Sequence, residues 1–517
     1  MPFIKKIFIP LAILFLLVLL GGYFRFHKLA EIPPGFNQDE AVNGYDAYSI
    51  AHTLKDHHGE FLPILFESFG DWTSPLLTYI TVPFVKLLGL SIFSVRSIVT
   101  LFGTLLIIVF YFIGYVLTKK PYISLFAALI VVFSGILFHY SRWAIQPSSV
   151  PFFISIVLLS SFIVILTKQK AKGIVLLALA AGVTTYSYPT QKIFIPLLLL
   201  VFTLIYIRQL KWLIVLLWII YIVFILPMTL ISLSDKKYTT RYMQTSLAQI
   251  ERQEGGGYIK AFTQRYFNYL NPKYLFSKGD PDIRFQPPHT TIIDSSLLIF
   301  YLIALGVSIY FSFVRRSWLN LDTNFYRYLT VLWLITPIPA SLTKDYYHLL
   351  RFIHALPIVY ILIFIGILSL YTALRTAKLK KFFIVSVISL IIFGFYTFTN
   401  TYFNDYSQTA RKEFQYGVPQ IITYLLQNEN KFNSVTIDKR INQPYIYYLF
   451  FSKYDPQKLT EQVIQKQTFG KYVFKKIESR DADGLKMIYS FRNKNESLYE
   501  IYNKADGNWL VKKMYED

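Results

Sequence analysis

The feature that most restricts this chain is an apolar run that keeps returning. Stretches of about 18 or more apolar residues recur along most of its length, each long enough to cross a hydrocarbon core ~30 Å thick. The first follows Lys5-Lys6 and extends to about Phe24. Later ones fall near 95–117, 123–140, 149–167, 172–188, 193–207, 212–233, 292–313, 326–342, 352–372 and 382–402. This pattern predicts an all-α polytopic membrane protein with about eleven transmembrane helices. The 193–207 run is the shortest of them. A porin-like barrel is excluded, because its strands would be ~10 residues long with alternating polarity. No small-residue cleavage site follows Gly21-Gly22, so the first run reads as an uncleaved span.

Charge tests this topology. With a cytoplasmic N-terminus, every short inner loop is basic: Lys119-Lys120, Lys168 with Lys170 and Lys172, Arg208 with Lys211, Arg315-Arg316, and Arg375 with Lys378 and Lys380-Lys381. The positive-inside rule requires that asymmetry. An odd number of spans then places the tail outside a cytoplasmic membrane crossed many times. The net charge of +22 is accounted for by these loops and by contact with anionic membrane lipids. No nucleic-acid partner is expected, since no recognisable binding motif accompanies the charge. The absence of cysteine removes disulfides, thiolate metal sites and a cysteine nucleophile.

Two domains follow: a membrane-embedded part, 1–402, and a small α/β extracytoplasmic domain, 403–517. The outer face holds the long segments 25–94, 234–291 and 403–517. In the first of these, Pro33-Pro34-Gly35 breaks the chain, and Asn37 with Glu40 forms a capping-box pattern opening a helix to about Lys55. Asp39 and Glu40 read in two ways. Acidic residues in a first turn complement the helix dipole, worth about 0.3–1 kcal/mol. At a lipid–water boundary, however, carboxylates are costly and mark function. Local residues leave these readings evenly balanced. Beyond Gly70-Asp71-Trp72, an amphipathic helix is expected to lie at the interface.

Three short outer turns each offer a cation flanked by aromatics. They hold Arg142 after His139-Tyr140, Lys192 after Tyr186-Ser187-Tyr188, and Arg351 after Tyr346-Tyr347-His348. Spacing alone favours an interfacial belt of aromatic and snorkelling side chains over a shared phosphate site. The 234–291 segment carries Arg241-Tyr242 and Gly255-Gly256-Gly257. Those glycines lack the Lys-Ser/Thr of a phosphate loop, so they read as a flexible joint in a lid-like outer loop. In the tail, helices are expected near 412–428 and 457–466. Strands are expected at 434–438, 471–477, 487–492, 498–503 and 509–515, the last two joined across Asp506-Gly507.

Several motifs in order resemble one family. They are Asp39-Glu40 after the first span, Ser68-Phe69-Gly70-Asp71-Trp72-Thr73-Ser74-Pro75-Leu76, Phe93-Ser94-Val95-Arg96, and Tyr186-Ser187-Tyr188-Pro189 before Lys192. Trp333 to Thr343, Arg351 and Phe414-Gln415-Tyr416-Gly417 continue the series. Together they resemble the GT-C membrane glycosyltransferases, nearest to the protein mannosyltransferase and aminoarabinose transferase branch. The resemblance covers most of residues 20–360 and rests on order and topology rather than on one motif.

The resemblance implies a polyprenyl-phosphate sugar donor and transfer to a protein, lipid or glycan acceptor on the outer face, with inversion. It makes Asp39 the general base and Glu40 a residue orienting the base or the acceptor. Arg142, Lys192 and Arg351 would hold the donor phosphate, with Asp71, Tyr188, Arg241 and His348 in support. Gln146 stands where several relatives carry an acidic residue, four positions after the arginine. A divalent metal, Mg or Mn, is therefore left open, and no other cofactor is implied. Two other functions are compatible with such a chain: a lipid-linked sugar flippase or transporter, and a surface-glycan polymerase or ligase.

Overall fold

The computed structural model describes residues 2–254, 257–478, 482, 485–493, 496–504 and 506–515. Among these, eight helices are long and apolar enough to cross a membrane: Phe8–Phe26, Ile92–Thr118, Gln146–Leu166, Gln191–Leu210, Trp212–Ser234, Ser295–Phe313, Ala355–Ala373 and Ala377–Thr409. The chain is a polytopic helical membrane protein with a small sheet near its C-terminus. The short 193–207 run is the middle of a helix of 20 residues.

Three expected spans take a different form. The 123–140 run divides into Pro121–Val132 and Gly135–Tyr140, where Ser134 caps the second helix by accepting the Leu137 N–H at 3.3 Å. The 326–342 run divides into Thr323–Ile335 and Ile338–Ser341. The break falls at Thr336-Pro337, where proline cannot donate to the preceding turn and crowds its carbonyl. The 172–188 run is the helix Lys170–Thr185, 16 residues long, which rises only ~24 Å.

The chain forms two compact units that do not follow its order. One contains 1–27, 71–76 and 99–403; the other contains 28–70, 77–98 and 404–517. Within the first, Ala355–Ala373 is the central helix, 83% buried over its apolar window. Helix ends in this unit are closed by arginine. Arg25 donates to the carbonyls of Val131 at 2.9 Å and Val132 at 3.4 Å, the last residues of Pro121–Val132. Arg142 in turn donates to Phe24 O at 3.2 Å and Arg25 O at 2.6 Å, at the end of the first span. These carbonyls would otherwise lack partners in a medium without water.

In the second unit, a six-stranded sheet runs in the order 468–469, 472–475, 435–438, 509–513, 496–503, 486–493. Val435–Asp438 pairs in parallel with strands on both sides, and the other pairings are antiparallel. Val435, Ile437, Tyr472, Phe474, Leu510 and Val511 are buried, and all but Leu510 are β-branched or aromatic, types suited to a pleated core. Gly507 has φ +77° and turns the hairpin between the strands Glu496–Asn503 and Trp509–Lys513, as the Asp-Gly pair predicts.

This sheet domain also seats the first outer segment. Phe36 N–H donates to Phe414 O at 3.0 Å, and Tyr447 Oη donates to Phe36 O at 2.9 Å. Tyr45 Oη reaches Tyr454 O at 2.8 Å, on the chain following the helix Pro444–Ser452. Gly35 sits at φ +76°, and a Cβ there would lie 2.3 Å from the Phe414 carbonyl. Only glycine allows that approach of backbone to backbone.

Candidate functional site

The helix Gln38–Thr53 begins as its sequence predicts. Asn37 caps it by accepting the Asp39 N–H at 2.8 Å, and Glu40 Oε2 accepts the Asn37 N–H at 3.2 Å. The two adjacent carboxylates then part company. Asp39 is exposed, whereas Glu40 is fully buried.

Glu40 meets Arg96 in a two-pronged ion pair, Nε to Oε1 at 2.8 Å and Nη2 to Oε2 at 2.9 Å, with both side chains 0% exposed. The remaining guanidinium protons go to Leu29 O at 3.1 Å, Pro33 O at 3.0 Å and Gly35 O at 3.0 Å. Arg96 therefore gathers the bend before the helix and the first turn of the helix at one point. The planar fork of arginine fits this pattern of carboxylate plus carbonyls, and a lysine ammonium does not. Asp39 lies beside Tyr447, whose phenol is pushed well above its ordinary range by burial and then by the Asp39 and Glu40 charges. Gln415 accepts from Tyr447 Oη and donates through Nε2 to Gln38 Oε1 at 3.1 Å.

The cations singled out in the sequence lie in the other unit. Lys192 is half-buried at the start of its helix, and its nearby charge is the Asp71 carboxylate. The segment bearing Asp71 is held on the Tyr186–Lys192 turn by the bond from Leu76 N–H to Tyr186 O, 3.4 Å. Asp71 and Lys192 are thus brought together. Tyr188 is buried in the same turn, its carbonyl accepting the Gln191 N–H at 2.9 Å. Arg142 is buried, its Nη1 on the carbonyls of Phe24 and Arg25, with Phe138, Phe403 and Tyr402 around its guanidinium at 5.2, 5.6 and 5.8 Å. Arg351 pairs with Asp345 at 2.5 Å. Arg241 lies on the helix Thr240–Thr245, but its side chain, like the Gly255-Gly256 joint, is outside the described residues.

Two of the aromatic turns are joined through the 280–286 loop. Phe285 stacks on His348 at 4.6 Å and on Trp143 at 6.1 Å. Tyr140 Oη donates to Phe285 O at 3.0 Å, and Asp280 Oδ2 accepts the Leu349 N–H at 2.6 Å. The Arg142 and His348 turns therefore form one outer layer bound together by Asp280 and Phe285, neither of which the belt pattern singled out.

No family model matches the chain, and no curated protein matches it in sequence. Solved structures do match its fold. ArnT from Cupriavidus metallidurans bound to undecaprenyl phosphate superposes with a TM-score of 0.58 at 12% identity, over 96% of this chain and 97% of that one. The oligosaccharyltransferase AglB from Archaeoglobus fulgidus, in complex with an inhibitory peptide and a dolichol-phosphate, gives 0.53 at 13% identity. That match covers 87% of this chain and 64% of AglB, so the chain spans under two thirds of the archaeal protein. The archaeal enzyme tethered to an acceptor peptide gives 0.55 at 12% identity. The fold is GT-C.

A divalent metal would need carboxylate or imidazole ligands gathered at one point. Among the described residues, no three His, Asp or Glu side chains come together to hold an ion. Glu40 has its oxygens on Arg96 and on Asn37 N–H, and Gln146 is neutral.

A buried cluster that no motif singled out joins Asp46, on the same helix as Asp39, to the residues just past the end of that helix. Asp46 Oδ1 is 2.6 Å from His57 Nδ1 and accepts the His57 N–H at 2.9 Å. Next to it, Asp56 Oδ1 accepts the N–H groups of His58 and Glu60, each at 2.9 Å. Burial, and then the Asp46 charge, push the Asp56 carboxyl up to about 6 from 3.8. The folded chain therefore holds that proton more tightly than the unfolded one does. The resulting stabilisation is full below pH 3.8 and is lost as pH rises through about 6. Asp56→Asn keeps the acceptor oxygen and removes the titration. The fall in unfolding temperature between about pH 4.5 and 7.5 should be smaller in this variant than in the wild type. An equal fall in both would remove Asp56 as its source.

Proposed function

We propose that this chain transfers a sugar from a polyprenyl-phosphate-linked donor to a protein, lipid or glycan acceptor at the outer face of the cytoplasmic membrane. The observation that carries the reading is the match of nearly the whole chain to a fold solved with undecaprenyl phosphate bound. The N-terminus is cytoplasmic and residues 403–517 are outside in this reading, which the basic short loops support.

Asp39 is the general base. It accepts the proton of the acceptor hydroxyl as that oxygen forms its bond to the anomeric carbon. The bond from this carbon to the phosphate oxygen breaks, and polyprenyl phosphate leaves with the electron pair. Attack opposite the leaving group inverts the centre. Support comes from the division of labour on the first turn. Glu40 is sequestered by Arg96 and fixes the helix, and Asp39, one residue earlier, is left facing water. Lys192 meets the donor phosphate and stabilises the charge developing on it. Arg142 and Arg351 frame the outer turns, with Asp71, Tyr188, His348 and Arg241 supporting them.

The test uses the full-length protein in lipid vesicles with a polyprenyl-phosphate sugar. Product carrying the sugar, with inverted configuration, is the expected result. Movement of the donor across the bilayer without transfer would make the protein a flippase instead. Lys192→Gln should raise the donor KM at least tenfold, about 1.4 kcal/mol of lost binding, with little change in the unfolding temperature. An unchanged donor KM would remove Lys192 from the phosphate.

A further inference from the structure

A cavity of about 240 Å³ lies within the unit containing residues 99–403, away from the residues assigned above. At ~30 Å³ per molecule of liquid water, it is roomy for a few waters. It opens where the Pro121–Val132 helix breaks at Ser134, beneath the 289–297 segment and against the Ala377–Thr401 helix. That last helix is largely uncovered by protein, with only 22% of its apolar window buried, so the cavity borders the lipid-facing side.

The lining is chemically one-sided. It contains one carboxylate, Asp294, and no lysine or arginine among the described residues. Asp294 Oδ1 accepts the Ser296 N–H at 2.8 Å and starts the next helix. Oδ2 takes no hydrogen bond from any described residue and lies against Gly394, where a Cβ would be 1.8 Å away. The glycine makes room for the carboxylate. The hydroxyls of Thr291, Ser295 and Thr401 also line the space without a hydrogen-bond partner among the described residues, and His289 stands at its edge. The rest of the wall is apolar, with Ile130, Phe133, Ile391 and Phe398.

Asp294 is half-buried, and a carboxylate in a cavity beside lipid attracts a cation, which this wall does not supply. Hydroxyls and an imidazole at the rim suit a phosphate beside that cation, while the lack of lysine and arginine disfavours a ligand that is only anionic. We infer that the cavity binds the headgroup of an ammonium-bearing phospholipid, with the ammonium on Asp294 and the phosphate on the surrounding hydroxyls. Phosphatidylethanolamine is the simplest probe with this chemistry. The site is independent of the sugar-transfer reading.

The full-length protein is delipidated in detergent and offered equal amounts of phosphatidylethanolamine and phosphatidylglycerol, and retained lipid is counted by native mass spectrometry. Wild type should retain phosphatidylethanolamine at least fivefold over phosphatidylglycerol. Asp294→Asn should abolish that preference and still fold, because asparagine is as good a helix cap as aspartate. Thr401→Val, at the rim, should reduce retention severalfold without touching the cap. Equal retention of the two lipids by wild type would overturn the proposal, as would an unchanged preference in Asp294→Asn. If free phosphoethanolamine competes as well as the lipid does, the site takes a soluble ligand and the lipid assignment fails.

Discussion

Replacing Asp39 by Asn is expected to lower sugar transfer about 10²- to 10⁴-fold, the usual contribution of a positioned base, while the protein stays folded. The side chain is exposed, and the amide is nearly isosteric with the carboxylate. The helix cap belongs to Asn37, and the buried ion pair to Glu40, so neither depends on Asp39. The dipole interaction that is lost contributes about 0.3–1 kcal/mol. Initial rates at saturating donor, in membranes containing equal amounts of each variant, measure the effect. Turnover within a few fold of wild type would return Asp39 to the role of a helix-start charge. Loss of the limb of the pH profile on which activity rises with base ionisation would identify the missing function as proton removal.

Arg96→Ala should have the largest effect on stability, about 3–5 kcal/mol, the typical cost of leaving one partner of a buried pair uncompensated. Three carbonyl bonds are lost with it, from Leu29, Pro33 and Gly35. Glu40→Gln should cost less, since the amide oxygen still accepts from the guanidinium. Arg96→Lys should fall nearer to alanine than to wild type, because an ammonium cannot span two carboxylate oxygens and three carbonyls together. Unfolding temperature in detergent, with limited proteolysis of the 28–70 segment, reads this out. A midpoint within a degree or two of wild type in Arg96→Ala would mean that the pair anchors nothing.

The same residues show what a sequence discloses about such a chain. Asn37 and Glu40 are three apart, and the capping box they form is a local object, legible from spacing. The hairpin across Asp506-Gly507 and the long apolar helices are local in the same sense. Glu40 has a second partner 56 residues away, and no spacing rule links them. Arg96 entered the reading only as part of a motif, without a role. Tyr447, on a helix the sequence reading did not place, contacts Phe36 across 411 positions. Arg142 illustrates a different limit. Its aromatic neighbours suggested a belt or a phosphate site, while the carbonyls it caps belong to the end of the first span. Hydropathy overran the breaks at Ser134 and Thr336-Pro337, since a short kink leaves the average of a window almost unchanged.

The contact of Tyr45 with Tyr454, 409 positions apart, has a consequence for synthesis. The helix that presents Asp39 is made about 400 residues before the surface that receives it. At ~5–20 residues per second, the interval is on the order of 20–80 s. During that time the bend at Gly35 has no Phe414 beside it, and Phe36 and Tyr45 wait without the partners that later receive them. A chain interrupted before Phe414 would be inserted in the membrane with the proposed base unseated. Synthesis as far as Tyr454 thus acts as a checkpoint: shorter nascent chains can occupy the bilayer without yet being able to work there.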